Sequence, residues 1–174
     1  MKITSDLHFH HKNILDFCPA RGYSNLDEMH FGMIEEWNKS VAPQEEVWIL
    51  GDLSFGNTAD TASILEQLNG KLHMVLGNHD KKTFKCPVVR RRFESIQDYK
   101  ELTFNRTKIV MFHYPIWEWN GGHRGAVHFH GHTHGKPTGI RGRILDVGYD
   151  ATGQVVSDML ECIEKAKKEP VYAR

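Results

Sequence analysis

Short apolar runs rich in β-branched and aromatic residues recur along the chain, and most are bounded by glycine, asparagine, aspartate or histidine. Runs of about four to eight residues with such boundaries are typical of buried β-strands. The pattern predicts six strands, which cover residues 1–5, 46–50, 71–76, 108–112, 126–129 and 144–147.

Helical spacing of apolar residues predicts a helix over residues 25–41. The face it would bury is formed by Leu26, Met29, Met33, Ile34, Trp37 and Val41. Asn25, with Glu28 three residues later, has the form of a capping box, which starts a helix.

Two shorter segments also have helical spacing. One covers about residues 61–68, and the other follows residue 157, with Met159, Leu160 and Ile163 directed inward. Strands that alternate with helices in this way predict an α/β fold in which crossover helices join the strands of a sheet.

The composition limits the class of protein. Lysine plus arginine number 22 and aspartate plus glutamate number 22, so no overall basic field indicates a nucleic-acid partner. The three cysteines are far apart and form no CxxC motif, which disfavours a disulfide framework or a zinc ribbon. There is no apolar leader and no apolar stretch long enough to span a bilayer. We therefore expect one domain over residues 1–174, located in the cytoplasm and without a membrane partner.

Polar residues that can bind metal ions directly follow five of the predicted strands. These strand ends read SDLHFHH, LGDLSFG, LGNHDKK, FHYP and HGHTHG in chain order. In open α/β sheets the loops at the carboxyl ends of the strands converge, and ligands bind there. The five ends together predict one shared metal site.

The order of these elements resembles the calcineurin-like metallophosphoesterase superfamily. The elements are Asp6-Leu7-His8, Gly51-Asp52, Gly77-Asn78-His79-Asp80, a lone His113 after a strand, and Gly131-His132-Thr133-His134. The resemblance implies a two-sheet α/β-β/α sandwich with a dinuclear metal site at the strand ends. No long insertion separates the motifs, so it implies a small member without a cap domain, acting on small or flexible substrates.

The resemblance also implies which residues hold the two ions. Asp52 is implied as the bridge, a shared anion that two divalent ions need because they repel each other. One ion is implied to take Asp6, His8 and His134, and the other to take Asn78, His113 and His132. Imidazole and oxygen ligands without thiolate suit manganese, iron, nickel or zinc better than magnesium or calcium, and we favour manganese.

The resemblance assigns His79 to catalysis, and the adjacent Asp80 is the carboxylate that we expect to be its partner. In metal-assisted phosphoester hydrolysis, two ions lower the pKa of a bridging water, and the resulting hydroxide attacks phosphorus in line. The leaving alkoxide then needs a proton, which the His79 imidazolium can donate. A neighbouring Asp80 carboxylate would fix the tautomer of this ring and favour its charged form.

Three features are candidates for substrate contact. His123 and Arg124 lie in the loop 117–125, and we expect both to bind the phosphoester, since a guanidinium suits phosphate. Tyr114, Trp117 and Trp119 are either a stacking wall for a base or part of the core. A basic segment is either an electropositive rim or a solvated surface, and it consists of Lys81, Lys82, Lys85, Arg90, Arg91 and Arg92.

The histidines directly beside the motifs are expected to be structural rather than metal ligands. His128 and His130 precede the last motif on a predicted strand and share one sheet face, where packing or supporting hydrogen bonds are expected, with substrate contact as the alternative. His10 and His11 are expected in an exposed loop or at a helix start.

These observations predict a metal-dependent phosphoester hydrolase, in the first place a phosphodiesterase for a small or flexible phosphodiester or a nucleotide, cyclic nucleotides included. A phosphomonoesterase is the alternative within the same chemistry. A binding scaffold of the same fold and a structural zinc module are alternatives from other classes, which the complete motif set and the separate apolar core disfavour. Nucleic acid is not indicated as a partner, and the oligomeric state does not follow from the sequence.

Overall fold

Nine strands and six α-helices make up the regular structure of residues 1–171, which is the part of the chain that the computed structural model describes. The strands are β1 (Lys2–Thr4), β2 (Glu46–Ile49), β3 (Lys71–Val75), β4 (Phe93–Gln97), β5 (Tyr99–Phe104), β6 (Thr107–Phe112), β7 (Val127–His130), β8 (Ile144–Asp146) and β9 (Ser157–Asp158). The helices are α1 (Ile14–Phe17), α2 (Leu26–Ser40), α3 (Thr58–Gln67), α4 (Pro87–Arg90), α5 (Tyr149–Thr152) and α6 (Met159–Ala166).

The strands form two sheets that pack against each other. The first sheet has the order β4-β3-β2-β1-β9, in which β1 to β4 are parallel and β9 is antiparallel. The second has the order β5-β6-β7-β8, in which β6 to β8 are parallel and β5 is antiparallel. Ile3 and Trp48 of the first sheet share one buried apolar cluster with Ile109 and Val127 of the second. The predicted two-sheet α/β sandwich is thus confirmed.

Helices α2 and α3 cover the outer face of the first sheet. Met29, Met33 and Trp37 of α2 and Ile64 and Leu65 of α3 belong to one buried apolar cluster with side chains of β2 and β3. All six predicted strands are present, each with ends within one residue of those expected. Within residues 1–171, no helix is long and apolar enough to cross a membrane.

Helices α2 and α3 each begin after a side chain that accepts free backbone N–H groups of the first turn. The Asn25 side chain accepts the N–H of Glu28 at 2.9 Å, as predicted for α2. The Glu28 carboxylate accepts the backbone N–H of Ser24 at 2.9 Å, one residue before the N–H that a capping box would use. Helix α3 starts one turn earlier than predicted, because Asn57 and Asp60 form a reciprocal capping box. That turn lacks the large apolar side chains on which the prediction depended.

The inward face of α6 differs from the prediction at one position. Leu160 is 40% exposed, whereas Met159, Cys162, Ile163 and Ala166 are buried. The buried residues follow the spacing i, i+3, i+4 and i+7 of one helical face, and Leu160 lies about 100° away from its start.

Strands β4 and β5 were not predicted from the sequence. Each lies at the edge of its sheet and consists only of exposed or half-buried residues, so neither forms a buried apolar run. The turn from β5 to β6 consists of Asn105 and Arg106, whose φ angles of 46° and 60° are those of a tight hairpin. This turn lacks the glycine that usually marks such a hairpin in a sequence.

The predicted basic segment divides into two parts. Its members from Lys81 to Arg91 are exposed, as expected for a solvated surface. Arg92 is half-buried, and its guanidinium donates to the carbonyl oxygens of Leu65, Leu68 and Gly70. These carbonyls lie at and after the C-terminal end of α3, where helix carbonyls lack intrahelical partners, so Arg92 is a structural residue.

Candidate active site

The loops after β1, β2, β3, β6 and β7 bring predicted ligands from both sheets together. Two groups of side chains have all their ligand atoms within 4.8 Å of one another, and they are Asp6, His8 and His134 in the first and Asp6, Asp52 and His113 in the second. Every member is a predicted metal ligand. The two groups share Asp6, so they form one continuous centre.

Asp52 lies between the two halves of this centre. Its Oδ2 atom is 3.8 Å from Nε2 of His8 and 3.6 Å from Nε2 of His113. The residue is only 2% exposed. One oxygen of the Asp52 carboxylate therefore lies within 4 Å of a predicted ligand in each half of the centre.

The two remaining predicted ligands border the centre on its exposed side. Asn78 Oδ1 lies 3.0 Å from Nε2 of His113. The ring of His132 lies 5.2 Å from that of His113, and its backbone N–H donates to Asp6 Oδ2 at 2.8 Å. Asn78 and His132 are exposed, whereas Asp6 and His113 are fully buried. All seven predicted ligands thus lie together, and solvent reaches them from one side.

Glycines allow the ligand loops to approach each other this closely. A Cβ atom at Gly77 would collide with the carboxylate of Asp52, and one at Gly131 would collide with that of Asp6. A side chain at Gly51 would collide with a ligand ring in the same way. These three positions therefore require glycine, because any side chain would prevent the close approach of the loops.

Five predicted ligands have a left-handed backbone conformation. The φ angle is 56° at Asp6, 54° at His8, 54° at Asp52, 68° at His132 and 50° at His134. Non-glycine residues rarely adopt this conformation, and where such residues cluster they are typical of functional sites. The unfavourable backbone turns these side chains toward one another.

Buried polar atoms in this centre lack hydrogen-bond partners. Among residues 1–171, these atoms include Asp6 Oδ1 and both ring nitrogens of His8. Burial of such atoms is unfavourable unless a cation or a hydrogen bond compensates it. Burial also raises the pKa of the Asp6 carboxyl, but the nearby imidazoles of His8 and His113 outweigh this effect and hold that pKa below its ordinary value. The donor set therefore fits a divalent cation.

His79 lies at the exposed side of the centre. Its side chain is 43% exposed, and its Nε2 atom is 3.9 Å from Oδ2 of Asp52. Its backbone N–H donates to Oδ1 of the same carboxylate at 3.0 Å. The ring packs against Phe55, with centroids 4.3 Å apart. His79 is thus held beside the centre while its ring stays accessible to solvent.

Asp80 does not have the geometry predicted for it. Its Oδ2 atom accepts the backbone N–H groups of Asp52 at 2.8 Å and Gly77 at 2.7 Å, and its Oδ1 atom accepts that of Leu53 at 3.1 Å. Burial raises the pKa of this carboxyl to about 6, and the nearby Asp52 contributes in the same direction. Asp80 therefore joins the loops after β2 and β3, and it does not orient the His79 ring.

The sequence did not indicate the residues that support the ligand turn 131–134. Asp146 Oδ2 accepts the Thr133 hydroxyl at 2.6 Å and the Gly135 N–H at 3.0 Å, and its Oδ1 accepts the Gly148 N–H at 2.8 Å. A signal was available, because Asp146 is also a polar residue at the end of an apolar strand.

A third group of potential ligands lies next to the centre and consists of Cys18, His134 and Asp150. The Arg21 guanidinium donates to both oxygens of Asp150 at 2.7 Å, so a positive charge already faces that carboxylate. Burial raises the pKa of the Cys18 thiol to about 11, which disfavours the thiolate that a metal requires. We assign no ion to this group.

His123 and Arg124 lie far from the ligands. They belong to the 3₁₀ segment Gly122–Arg124, which precedes β7, whereas the ligand turn follows β7. The strand separates its two ends by roughly 13 Å at about 3.3 Å per residue. Arg124 lines a basic pocket at the far end of the sheet, with Arg106, Lys108 and Arg143. This geometry does not support the predicted contact of His123 and Arg124 with substrate at the metal site.

The three candidate aromatic residues have different environments. Trp119 is only 8% exposed, packs on Val110, and donates its indole N–H to the Ala126 carbonyl at 2.9 Å, so it belongs to the core. Trp117 is 65% exposed. Tyr114 is exposed at 36%, with its ring 4.7 Å from that of His132, and it therefore borders the centre.

His128 and His130 are structural, as predicted. Both are buried, with ring centroids 5.6 Å apart. Nδ1 of His128 lies 3.1 Å from the Val110 carbonyl, and its Nε2 accepts the N–H of Ile116 at 3.3 Å. Burial lowers the pKa of His128 to about 4, so its ring is neutral at physiological pH.

His10 and His11 lie in the loop that leads into α1, as expected, and they are half-buried rather than exposed. The backbone N–H of His10 donates to Nε2 of His30 at 2.9 Å. The ring of His11 packs on Phe55 with centroids 4.1 Å apart. The motif-flanking histidines thus take part in the aromatic packing around the centre.

The fold and the metal-ligand centre define a phosphoesterase, and the chain belongs to the calcineurin-like phosphoesterase superfamily. A model of this superfamily domain matches residues 1–147, which contain all seven predicted ligands. The protein is therefore a hydrolase that acts on phosphoric ester bonds. The family implies divalent metal ions as cofactors, and the ligand groups described above fit them.

The chain is also similar to proteins of an archaeon and a phage, and it shares its fold with a solved structure. An uncharacterized protein of Methanocaldococcus jannaschii is 34% identical over 134 residues, which cover 76% of this chain and 68% of the relative. The gene 66 protein of Mycobacterium phage D29 is 28% identical over 182 residues, which cover 88% and 89%. A protein of unknown function from Aquifex aeolicus has the same fold, with a TM-score of 0.73 at 22% identity over 95% of this chain and 97% of that chain.

Proposed function

We propose that the protein is a phosphodiesterase that hydrolyses a small or flexible phosphodiester or a nucleotide, cyclic nucleotides included. The observation that carries this proposal is the charge around the centre. Among the described residues, the ionic neighbours of the Asp6 and Asp52 carboxylates within 4.0 Å are histidines, and no lysine or arginine is among them. A diester has one negative charge, whereas a phosphomonoester has about −1.5 to −2 at neutral pH. The nearby Arg21 is paired with the Asp150 carboxylate, so the protein offers little free positive charge here, and this favours the diester.

The proposed ligands divide between two ions. Asp6, His8 and His134 would hold one ion, and Asn78, His113 and His132 would hold the other, with Asp52 between them. When bound, the ions supply Lewis acidity, which polarises a phosphoryl oxygen and lowers the pKa of a water molecule. Imidazole and oxygen donors without thiolate support manganese, iron, nickel or zinc, and we propose manganese.

We propose His79 as the proton donor to the leaving group. Its 43% exposed side chain can reach a substrate that approaches from solvent, and its Nε2 lies 3.9 Å from the proposed bridge, Asp52. The backbone bond to Asp52 and the packing on Phe55 limit the positions of the ring. A leaving oxygen beside this ring would receive the proton without rearrangement of the loop.

A nucleotide is the proposed substrate class because an exposed aromatic ring borders the centre. Tyr114 follows the ligand His113, and its ring lies 4.7 Å from that of His132. Stacking of a base on an aromatic side chain contributes about 1–3 kcal/mol. Tyr114 could therefore bind a base while the phosphodiester lies at the ligands.

The proposed location is the cytoplasm. Cys18, Cys86 and Cys162 are all free thiols in the structure. Reducing compartments keep thiols in this state, whereas extracellular proteins of this size often contain disulfides. Fractionation of the source cells, with the protein detected by antibody, tests this.

Hydrolysis by metal-depleted protein reconstituted with each ion tests the proposed function. The paired substrates are bis(p-nitrophenyl) phosphate and p-nitrophenyl phosphate, and then a cyclic nucleotide and its 5′-monophosphate. We expect a higher kcat/KM for each diester, with manganese the most effective ion, and background activity for Asp52→Asn. A higher kcat/KM for the monoesters would establish a phosphomonoesterase. Two bound ions without turnover of any ester would establish a binding scaffold.

A further inference from the structure

A buried ion pair outside the predicted ligand set contacts the centre. Arg21 Nε donates to Asp150 Oδ1 at 2.7 Å, and Nη2 donates to Asp150 Oδ2 at 2.7 Å. The two side chains are only 1% and 8% exposed. Such a bidentate pair is rigid, and it is shielded from the solvent that weakens ion pairs at a protein surface.

Arg21 also holds the backbone of the first ligand loop. Its Nη2 donates to the Asp6 carbonyl at 2.7 Å, and its Nη1 donates to the Leu7 carbonyl at 2.8 Å. The guanidinium lies over the ring of Tyr149, 4.8 Å from its centroid. One side chain therefore connects the loop after β1 to helix α5.

Asp150 contacts a proposed ligand on the side away from the ions. Its Oδ2 lies 2.6 Å from Nδ1 of His134, while Nε2 of His134 faces Asp6 Oδ1 at 3.9 Å. A carboxylate accepts a hydrogen bond, so Nδ1 carries the proton and Nε2 presents its lone pair to the centre. A carboxylate behind a ligand imidazole also makes the imidazole a stronger donor.

We propose that Arg21 and Asp150 are a positioning pair. Asp150 fixes the tautomer and orientation of the His134 ring, and Arg21 connects Asp150 to the backbone of the loop that carries Asp6 and His8. The proposal rests on the proposed function only in that His134 binds a divalent ion. Asp150 lies beyond residue 147, where the superfamily match ends, so the match does not include it. Arg21 also neutralises Asp150, and this makes the group of Cys18, His134 and Asp150 unfavourable for an additional cation.

Two double variants isolate the hydrogen bond to His134. Arg21→Met with Asp150→Asn removes both charges but keeps an oxygen that can accept the Nδ1 proton. Arg21→Met with Asp150→Leu removes both charges and that acceptor, with a side chain of nearly the same shape. Neither variant leaves an unpaired buried charge, so the two should fold equally well, and circular dichroism checks this.

The readouts are manganese affinity by calorimetry and the tautomer of His134 by ¹⁵N NMR of the metal-free protein at alkaline pH. We expect the Leu variant to lose about 10- to 100-fold in affinity for one ion and to lose the Nδ1–H tautomer, while the Asn variant keeps that tautomer and most of the affinity. Equal affinities and equal tautomers in the two variants would overturn the proposal. Failure of phosphoester hydrolysis in a wild-type protein that binds both ions would overturn the proposed function and leave this pair unaffected.

Discussion

The identity of the leaving group distinguishes proton donation by His79 from other roles of that residue. We expect His79→Ala to bind both ions, because Asn78 and not His79 lies 3.0 Å from His113. An alkoxide leaving group, such as a ribose oxygen, needs a proton in the transition state, whereas nitrophenolate departs as a stable anion. Loss of a proton donor should therefore affect the first kind of substrate far more than the second.

The exposure of His79 determines the size of the effect. A positioned general acid contributes about 10²–10⁴-fold to the rate. Because the side chain is 43% exposed, water can reach the leaving oxygen when the ring is removed and can replace part of its function. We therefore expect the lower end, about 100-fold in kcat or about 2.7 kcal/mol, for the alkoxide, and a loss below about tenfold for nitrophenolate.

The assay compares kcat for a cyclic nucleotide and for bis(p-nitrophenyl) phosphate, with the ion content of each preparation measured by mass spectrometry. His79→Gln is the matched control, since glutamine can still donate a hydrogen bond to a phosphate but is no acid. If His79→Gln restores activity, or if both substrates lose equally with ions retained, His79 binds the phosphate and does not protonate the leaving group.

Three further predictions concern the proposed ligand Asp52, the carboxylate of Asp80 and the buried His128. Asp52→Asn should lose bound ion and activity but keep its fold, as measured by mass spectrometry and circular dichroism; wild-type ion content would contradict the bridging role. Asp80→Asn should lower the free energy of unfolding in urea by about 1–3 kcal/mol, because an amide group replaces an oxygen that accepts backbone N–H groups. The same variant should reduce hydrolysis equally for both leaving groups, because Asp80 does not orient the His79 ring. For His128, the folded pKa of about 4 lies below the ordinary 6.5, so its contribution to stability is complete above pH 6.5 and is lost as the pH falls toward 4. Relative to His128→Gln, the metal-free wild type should therefore lose about 2 kcal/mol between about pH 7.5 and pH 5, and a constant difference would contradict the assigned burial.

The predicted ligands could be identified because each follows a strand that the apolar pattern marks. Parallel strands bring their ends to the same edge, so a local signal in the sequence becomes a shared site in space. His113 illustrates this, because a single histidine after an apolar run does not by itself indicate a metal site. It becomes a candidate ligand once β6 is known to pair with β7, since the ligand turn 131–134 follows β7. The same reasoning fails for Arg124, which precedes its strand and therefore lies at the opposite end.

The supporting residues could not be identified in this way. Arg21 and Asp150 are 129 residues apart, and nothing near either one in the sequence marks the contact. Asp80 was placed beside His79 because the two are adjacent in the chain, but its carboxylate turns inward, where three backbone N–H groups are unpaired without it. The position of a buried carboxylate depends on which backbone N–H groups near it lack a hydrogen-bond acceptor, and the tertiary structure determines those groups.

The left-handed backbone of five ligands has a consequence for protein engineering. Each such residue costs on the order of 1 kcal/mol relative to glycine, and the five together about 5 kcal/mol, which is comparable with the net stability of a whole domain. A procedure that selects residues for stability alone would choose glycine or asparagine at positions 6, 8, 52, 132 and 134. It would produce a more stable chain with an empty centre, so thermostable versions of this enzyme should be designed with these five positions held constant.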